Sequence, residues 1–166
     1  MNVAGGVDRM PAGQAALRLS ALRGTAAYAA YLAEAPLLEV ALEDLVDELG
    51  ALVSNAAVVR LAPPDAPKLI TDLANVAQEV VVVDARAFST PDWATIDRRR
   101  SQIAHRGVLV FVTTPASFDD LMRNAPNLAS WLGGEVFAYP DHEPATAVQR
   151  DLRLEALRVW ATKTDE

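Results

Sequence analysis

The run Val80-Val81-Val82-Val83, closed by Asp84, most narrows what this chain can fold into. Valine is stiff at χ1 and suits a pleated surface, so four in succession read as a strand. An unbroken apolar run leaves no residue for a solvated face, which places that strand inside a sheet covered on both sides. Such sheets are parallel, and parallel strands need crossover connections, normally helices. Asp84 then stands at the carboxyl end of a buried strand, the edge at which open α/β sheets take their ligands.

The remaining pattern alternates as this demands. Residues 11–22 read as a helix, with Ala15, Leu19 and Leu22 at helical spacing and Gly24 beyond its end. Residues 25–33 mix helix-favouring alanine with strand-favouring tyrosine, and the alternation assigns them to a strand. In 36–52, Leu38, Leu42, Leu45 and Leu49 share a helical face, acids lie largely off it, and Pro36 fits the first turn. A strand over 57–61 ends at Pro63-Pro64, and a helix over 66–77 leads into the valine strand. Thr90 caps a helix that runs to His105 and stops at Gly107. A strand over 108–112, a short helix over 117–123, a strand over 136–139 and a closing helix over 145–162 complete the series. The expectation is a three-layer α/β fold, a mainly parallel five-stranded sheet with helices on both faces. Residues 1–10 read as a flexible leader and 11–166 as a single domain.

Composition excludes several classes of function. Of 166 residues 51% are hydrophobic and 22% charged, as in a soluble globular domain. No stretch approaches the roughly 18 apolar residues a membrane span requires, and the first residues carry no signal-peptide core. A cytoplasmic protein with no membrane partner is expected. Cysteine is absent, which removes disulfides, thiolate nucleophiles, Fe–S clusters and Cys-type zinc sites. A net charge of −7 argues against nucleic acid as a partner, since phosphate binding draws on Lys and Arg.

The residues that follow each strand carry any chemistry the sheet supports. After 25–33 comes Glu34-Ala35-Pro36, then Pro63-Pro64-Asp65, Asp84-Ala85-Arg86 and Thr113-Thr114-Pro115. P-loop ATPases hold an Mg²⁺-ordering aspartate where Asp84 stands, and a polar sensor residue where Thr113 and Thr114 stand. Their Gly-rich loop with Lys and Ser or Thr occurs nowhere in this chain. Glu34 instead puts a carboxylate where a triphosphate would lie, and like charges about 4 Å apart repel by roughly 4 kcal/mol at an effective dielectric near 20. Neither catalysis nor a bound cofactor is expected. Asp84 has two readings, a metal ligand or a carboxylate held by local amides and Arg86. Flavodoxin-like receivers would want clustered acids after the first strand and a lysine after the last; Glu34 stands alone and Lys68 lies in the wrong element.

Away from that edge the signals are weaker. His105 and His142 have no ligand-spaced partner, and His105 suits the end of its helix. Arg98, Arg99 and Arg100 fan over some 200° of a helix, so one reaches Asp97 or the sheet end while the others are solvated or bind a protein. Trp93 and Trp131 are expected to pack, with residues 125–131 wrapping the carboxyl end of the sheet. Trp160 joins Leu154, Leu157 and Ala161 in a stripe that packs on its own domain or on a partner.

The segment from Trp93 to Tyr139 carries a family pattern. Its parts are Trp93-x-x-x-Asp97, Arg99-Arg100-Ser101, the apolar strand 108–112, and Ala125-Pro126-Asn127-Leu128-Ala129-Ser130-Trp131. It resembles the inactive branch of the bacterial signal-transduction ATPases with numerous domains, which keep the P-loop-type sheet without the P-loop. In many relatives the pattern reads as an "LN-x-x-R" helix, a strand, then "APDFWSWR". Here Asp97 replaces the usual Asn, Asn127 the usual Asp, and Leu132-Gly133 the arginine-containing ending. The layout covers residues 19–139. The resemblance implies a non-catalytic adaptor that couples a sensor to an effector in a multi-component signalling or defence system, with Trp93, Asp97, Arg100, Asn127 and Trp131 as motif positions. Arg98, Arg99 and Trp160 are the candidate contacts to a protein partner. The alternative is a small-ligand or nucleotide-binding regulatory domain that uses Asp84, Arg86 and Thr113.

Overall fold

A computed structural model of the chain describes residues 7–140. The helix expected over 145–162, with Trp160, and His142 fall outside the described residues, as do residues 1–6. Six strands form one sheet: β1 (Asp8–Arg9), β2 (Ala27–Leu32), β3 (Val58–Leu61), β4 (Val80–Asp84), β5 (Val108–Thr113) and β6 (Val136–Ala138). Their order across the sheet is β1-β6-β2-β5-β4-β3, and every pairing is parallel. The valine strand therefore lies between β5 and β3, with Val80 to Val83 fully buried.

Helices α1 (Ala12–Ala21) and α2 (Leu38–Leu52) cover one face. Helices α3 (Ala66–Ala74), α4 (Thr90–Arg98), α5 (Pro115–Asn124) and α6 (Pro126–Leu132) cover the other. Alternation along each strand splits its side chains between two cores: Val80 and Val82 join α1 and α2, whereas Val81 and Val83 join α3 to α6. The same alternation explains how the ambiguous segment became β2. Ala29 and Tyr31 point to one core and Tyr28, Ala30 and Leu32 to the other. Alanine admits the covering helices closely, and both tyrosine hydroxyls find partners. Tyr31 donates to the Met10 carbonyl at 2.6 Å, and Tyr28 accepts the His105 amide at 3.3 Å. Burial pushes the Tyr31 hydroxyl well above its ordinary pKa.

Four details correct the sequence reading. The sheet has six strands, because Asp8 and Arg9, assigned to the leader, pair with Phe137 and Ala138; two residues are too short to show a period. Helix α3 ends at Ala74, three residues early, where the Asn75 side chain donates to the Thr71 carbonyl. Ser89, and not Thr90, caps α4, its amide and hydroxyl both bonded to the Asp92 carboxylate. Helix α4 stops at Arg98, because the Asp97 carbonyl that a continuing helix would use accepts the Arg100 guanidinium at 2.9 Å. A 3₁₀ turn, Arg100–Gln102, follows, and His105 lies in the loop with Nε2 3.0 Å from the Glu79 carbonyl. Gly107 is needed there, since a Cβ would stand 1.9 Å from that same carbonyl oxygen.

Candidate functional site

In a parallel sheet all strands end on one side, so the segments after β2 to β6 converge at the carboxyl edge. A phosphate cradle after β2 would need free backbone amides aimed outward. Here Pro36 has no N–H, the Leu37 amide is bonded to the Glu34 carbonyl at 2.8 Å, and the Leu38 amide to Ala35. Three consecutive donors are thus missing or committed, and exposed Glu34 adds negative charge.

The neighbouring helix starts are closed by the protein's own acceptors. Asp65 accepts the Lys68 amide of α3 at 2.9 Å, and Thr114 accepts the Ser117 amide of α5 at 3.2 Å. Asp92 serves two helices, taking the Ala66 amide at 3.0 Å and the Ser89 amide at 2.8 Å. Burial works against its charge, but those amides and the Ser89 hydroxyl outweigh it and lower its pKa. Side chains therefore occupy the helix ends that would otherwise attract an anion. Helix α1 has no side-chain cap. Its start lines an open cleft of about 360 Å³ with Asp44, Glu48 and Tyr139, a lining that disfavours anions.

Asp84 is held in a four-residue ionic network. Its carboxylate accepts the Arg86 amide at 3.1 Å and the Arg86 Nε at 2.9 and 3.0 Å. The far side of the Arg86 guanidinium bonds Glu39 at the start of α2. Arg60, on β3, reaches both Glu39 oxygens at 3.0 Å and stands 3.7 Å from Asp84. Hydrogen bonds from Arg86 and then Arg60 lower the Glu39 pKa, and those from Asp84 and then Glu39 raise that of Arg86. Two anions and two cations neutralise one another, and Asp84 itself is only 6% exposed. A cation approaching Asp84 would have to displace a guanidinium from both of its oxygens.

The structure brings Asp84 and Arg86 together and leaves Thr113 apart. Asp84 sits beside Val112 on the α1/α2 side, so Thr113, one residue on, faces the opposite side. Its Oγ1 is buried with no hydrogen-bond partner among the described residues. The sequence reading missed Glu39 and Arg60. The available signal was Arg60 itself, a charge inside an otherwise apolar strand and one residue from its end.

The family-motif residues assemble elsewhere. Asp97 is 8% exposed and caps α6 from α4, accepting the Leu128 amide at 2.8 Å and the Asn127 side-chain amide at 3.1 Å. Arg100 braces the same turn through the Asp97 carbonyl. Trp93 is fully buried and donates to Ser117 at 3.0 Å. Trp131 departs from expectation. Helix α5 leaves the carboxyl edge and runs back along β5, so α6 sits toward the amino edge. There Trp131 stacks on Tyr28, ring centroids 4.8 Å apart, and remains 36% exposed. Among the described residues Arg98 bonds Thr95 and Arg99 bonds Gln102. Among the described residues no helix is long and apolar enough to cross a membrane, and no group of three or more metal-ligating side chains gathers.

No family model and no curated protein sequence matches the chain. Two solved structures do, both of the Aeropyrum pernix ORC2 protein. The ADP form matches with a TM-score of 0.51 at 12% identity, over 86% of this chain and 50% of that one. The ADPNP–ADP complexes match with a TM-score of 0.50 at 11% identity, over 80% and 47%. The chain thus spans about half the length of the structures it resembles. At such identity the likeness is one of fold alone, here a six-stranded parallel α/β sheet with helices on both faces.

Proposed function

We propose that the chain is a non-catalytic protein-interaction adaptor built on a degenerate NTPase-like sheet. On this reading it works in the cytoplasm of a bacterial multi-component signalling or defence system and links a sensor to an effector. The observation that carries it is the closed ionic network Glu39–Arg86–Asp84–Arg60, at the edge where a working relative would hold nucleotide and Mg²⁺. The committed amides after β2 and the self-capped helix starts support the same reading. A fold kept while its ligand edge is neutralised retains its surfaces as the means of action, and the motif around Asp97 and Asn127 supplies the family context.

Thermal unfolding with ATP and MgCl₂ tests the proposal. A ligand at about 100 times its Kd adds roughly 2.7 kcal/mol to stability, which for a domain of this size is roughly 5–10 °C in Tm. No shift at millimolar ATP–Mg²⁺ is expected. One observation favours the second reading, a regulatory domain for a small ligand: the buried Thr113 hydroxyl without a partner. A shift abolished by Thr113→Val would favour that reading instead.

A further inference from the structure

Five described arginines elsewhere in the fold have carboxylate partners: Arg18 with Glu135, Arg23 with Glu79, Arg60 with Glu39, Arg86 with Asp84, and Arg123 with Asp120. Arg98, Arg99 and Arg106 are exposed and have no carboxylate partner among the described residues. All three come from one stretch, the end of α4 and the loop before β5, and therefore lie at the amino edge of the sheet. Among the described residues these arginines are thus uncompensated positive charges at the edge opposite Asp84.

One large aromatic side chain is exposed at the same edge, Trp131, and short links join it to these arginines. Arg98 follows Asp97 in sequence, Asp97 caps α6, and Trp131 lies one helical turn beyond Asn127 on that helix. From Trp131 a second link passes to Tyr28 by ring stacking, and from the Tyr28 hydroxyl to the His105 amide, adjacent to Arg106. Trp131 is thus a partly exposed aromatic side chain stacked on Tyr28, at the same edge of the sheet as the three arginines. Tryptophan and arginine are the residues most enriched where protein interfaces concentrate their binding energy. The planar guanidinium fork matches carboxylates bidentately.

We propose that this amino-edge face, centred on Trp131 with Arg98, Arg99 and Arg106, docks an acidic protein segment bearing an apolar or aromatic side chain. The inference rests on the adaptor reading and names the chemistry of its partner. Charge complementarity selects the occupant: three unpaired arginines attract carboxylates, while the chain's overall charge of −7 opposes the longer anionic track of a nucleic acid.

Fluorescence anisotropy tests it on the full chain. The probes are a fluorescein-labelled glutamate-rich peptide with a single phenylalanine, a lysine-rich peptide of equal length, and oligothymidylate. The glutamate peptide is expected to bind and to weaken as salt rises. Arg98→Glu with Arg106→Glu should weaken it by about tenfold or more, as should Trp131→Ala, whereas Trp131→Phe should largely retain it. Circular dichroism of each variant separates lost docking from lost folding, and the exposed arginines give variants that keep the fold. Absence of glutamate-peptide binding up to about 1 mM, the weak limit of specific association, would overturn the proposal. So would binding indifferent to the arginine reversals, or preference for oligothymidylate. Nucleotide binding at the opposite edge would strike the adaptor reading and leave this readout unchanged, so the two failures are distinguishable.

Discussion

Asp97 on α4 and Asn127 on α6 meet side chain to side chain. The geometry predicts that exchanging them is tolerated: one carboxylate and one amide meet across a single hydrogen bond of 3.1 Å, and either side can hold either group. The Leu128 amide needs only an acceptor at residue 97, which an asparagine oxygen also supplies. Asp97→Ala should remove the α6 cap and orphan a buried N–H, costing about 2–3 kcal/mol. Asp97→Asn should cost only about 0.5–1 kcal/mol, since rotating the Asn127 amide restores the bond. Asn127→Asp alone sets two carboxylates face to face and should cost roughly 2–4 kcal/mol at neutral pH, below the unrelieved Coulomb figure because residue 127 is exposed. The double exchange should return within about 0.5 kcal/mol of the starting protein, with the negative charge now in the first turn of α6 where the helix dipole favours it. Urea denaturation followed by circular dichroism gives the four stabilities, and the coupling should be at least about 2 kcal/mol. Additive single effects in the double variant would refute the reasoning.

Three further outcomes follow from the same structure. Asp92 has a lowered folded pKa, so its stabilisation is complete above the ordinary value of 3.8 and is lost as pH falls through the folded value; the stability gap between the protein and Asp92→Asn should hold at pH 6 and close in that acid range, and a pH-independent gap would contradict it. Gly107→Ala drives a Cβ into the Glu79 carbonyl and should cost about 1–3 kcal/mol by thermal unfolding. Gly134→Ala, with nothing within 4 Å, is the near-neutral control; equal effects would refute the packing argument. Asp84→Ala should cost about 1–2 kcal/mol in urea denaturation, since Arg86 and Arg60 keep Glu39 as partner; a loss near 5 kcal/mol would mean that Asp84 holds the sheet edge by itself.

Elements with a strong period were legible in the sequence. The valine strand, the leucine face of α2 and the apolar run of β5 fixed a buried parallel sheet, because burial on both faces leaves a continuous apolar signature. The edge strand β1 was not legible, since two residues have no period and its pairing depends on β6, more than 120 residues away. The early end of α4 was equally hidden, because it is set by one guanidinium taking one carbonyl. At the site, the sequence neighbours Asp84 and Arg86 were readable as a local pair. Glu39 and Arg60 were not, because they reach that pair only through the crossover that sets β3 beside β4. Thr113 was grouped with Asp84 by position along the strands, and the one-residue offset in register divides them between faces. Trp131 was placed at the wrong edge because its direction depends on how far α5 runs back along β5.

Calorimetric titration of ATP–Mg²⁺ tests most directly whether the ionic network closes the carboxyl edge of the sheet to nucleotide. The protein should give no binding heat beyond dilution at concentrations that would saturate a site of about 10 µM Kd. A stoichiometric isotherm at micromolar affinity, abolished by Asp84→Ala, would contradict the account.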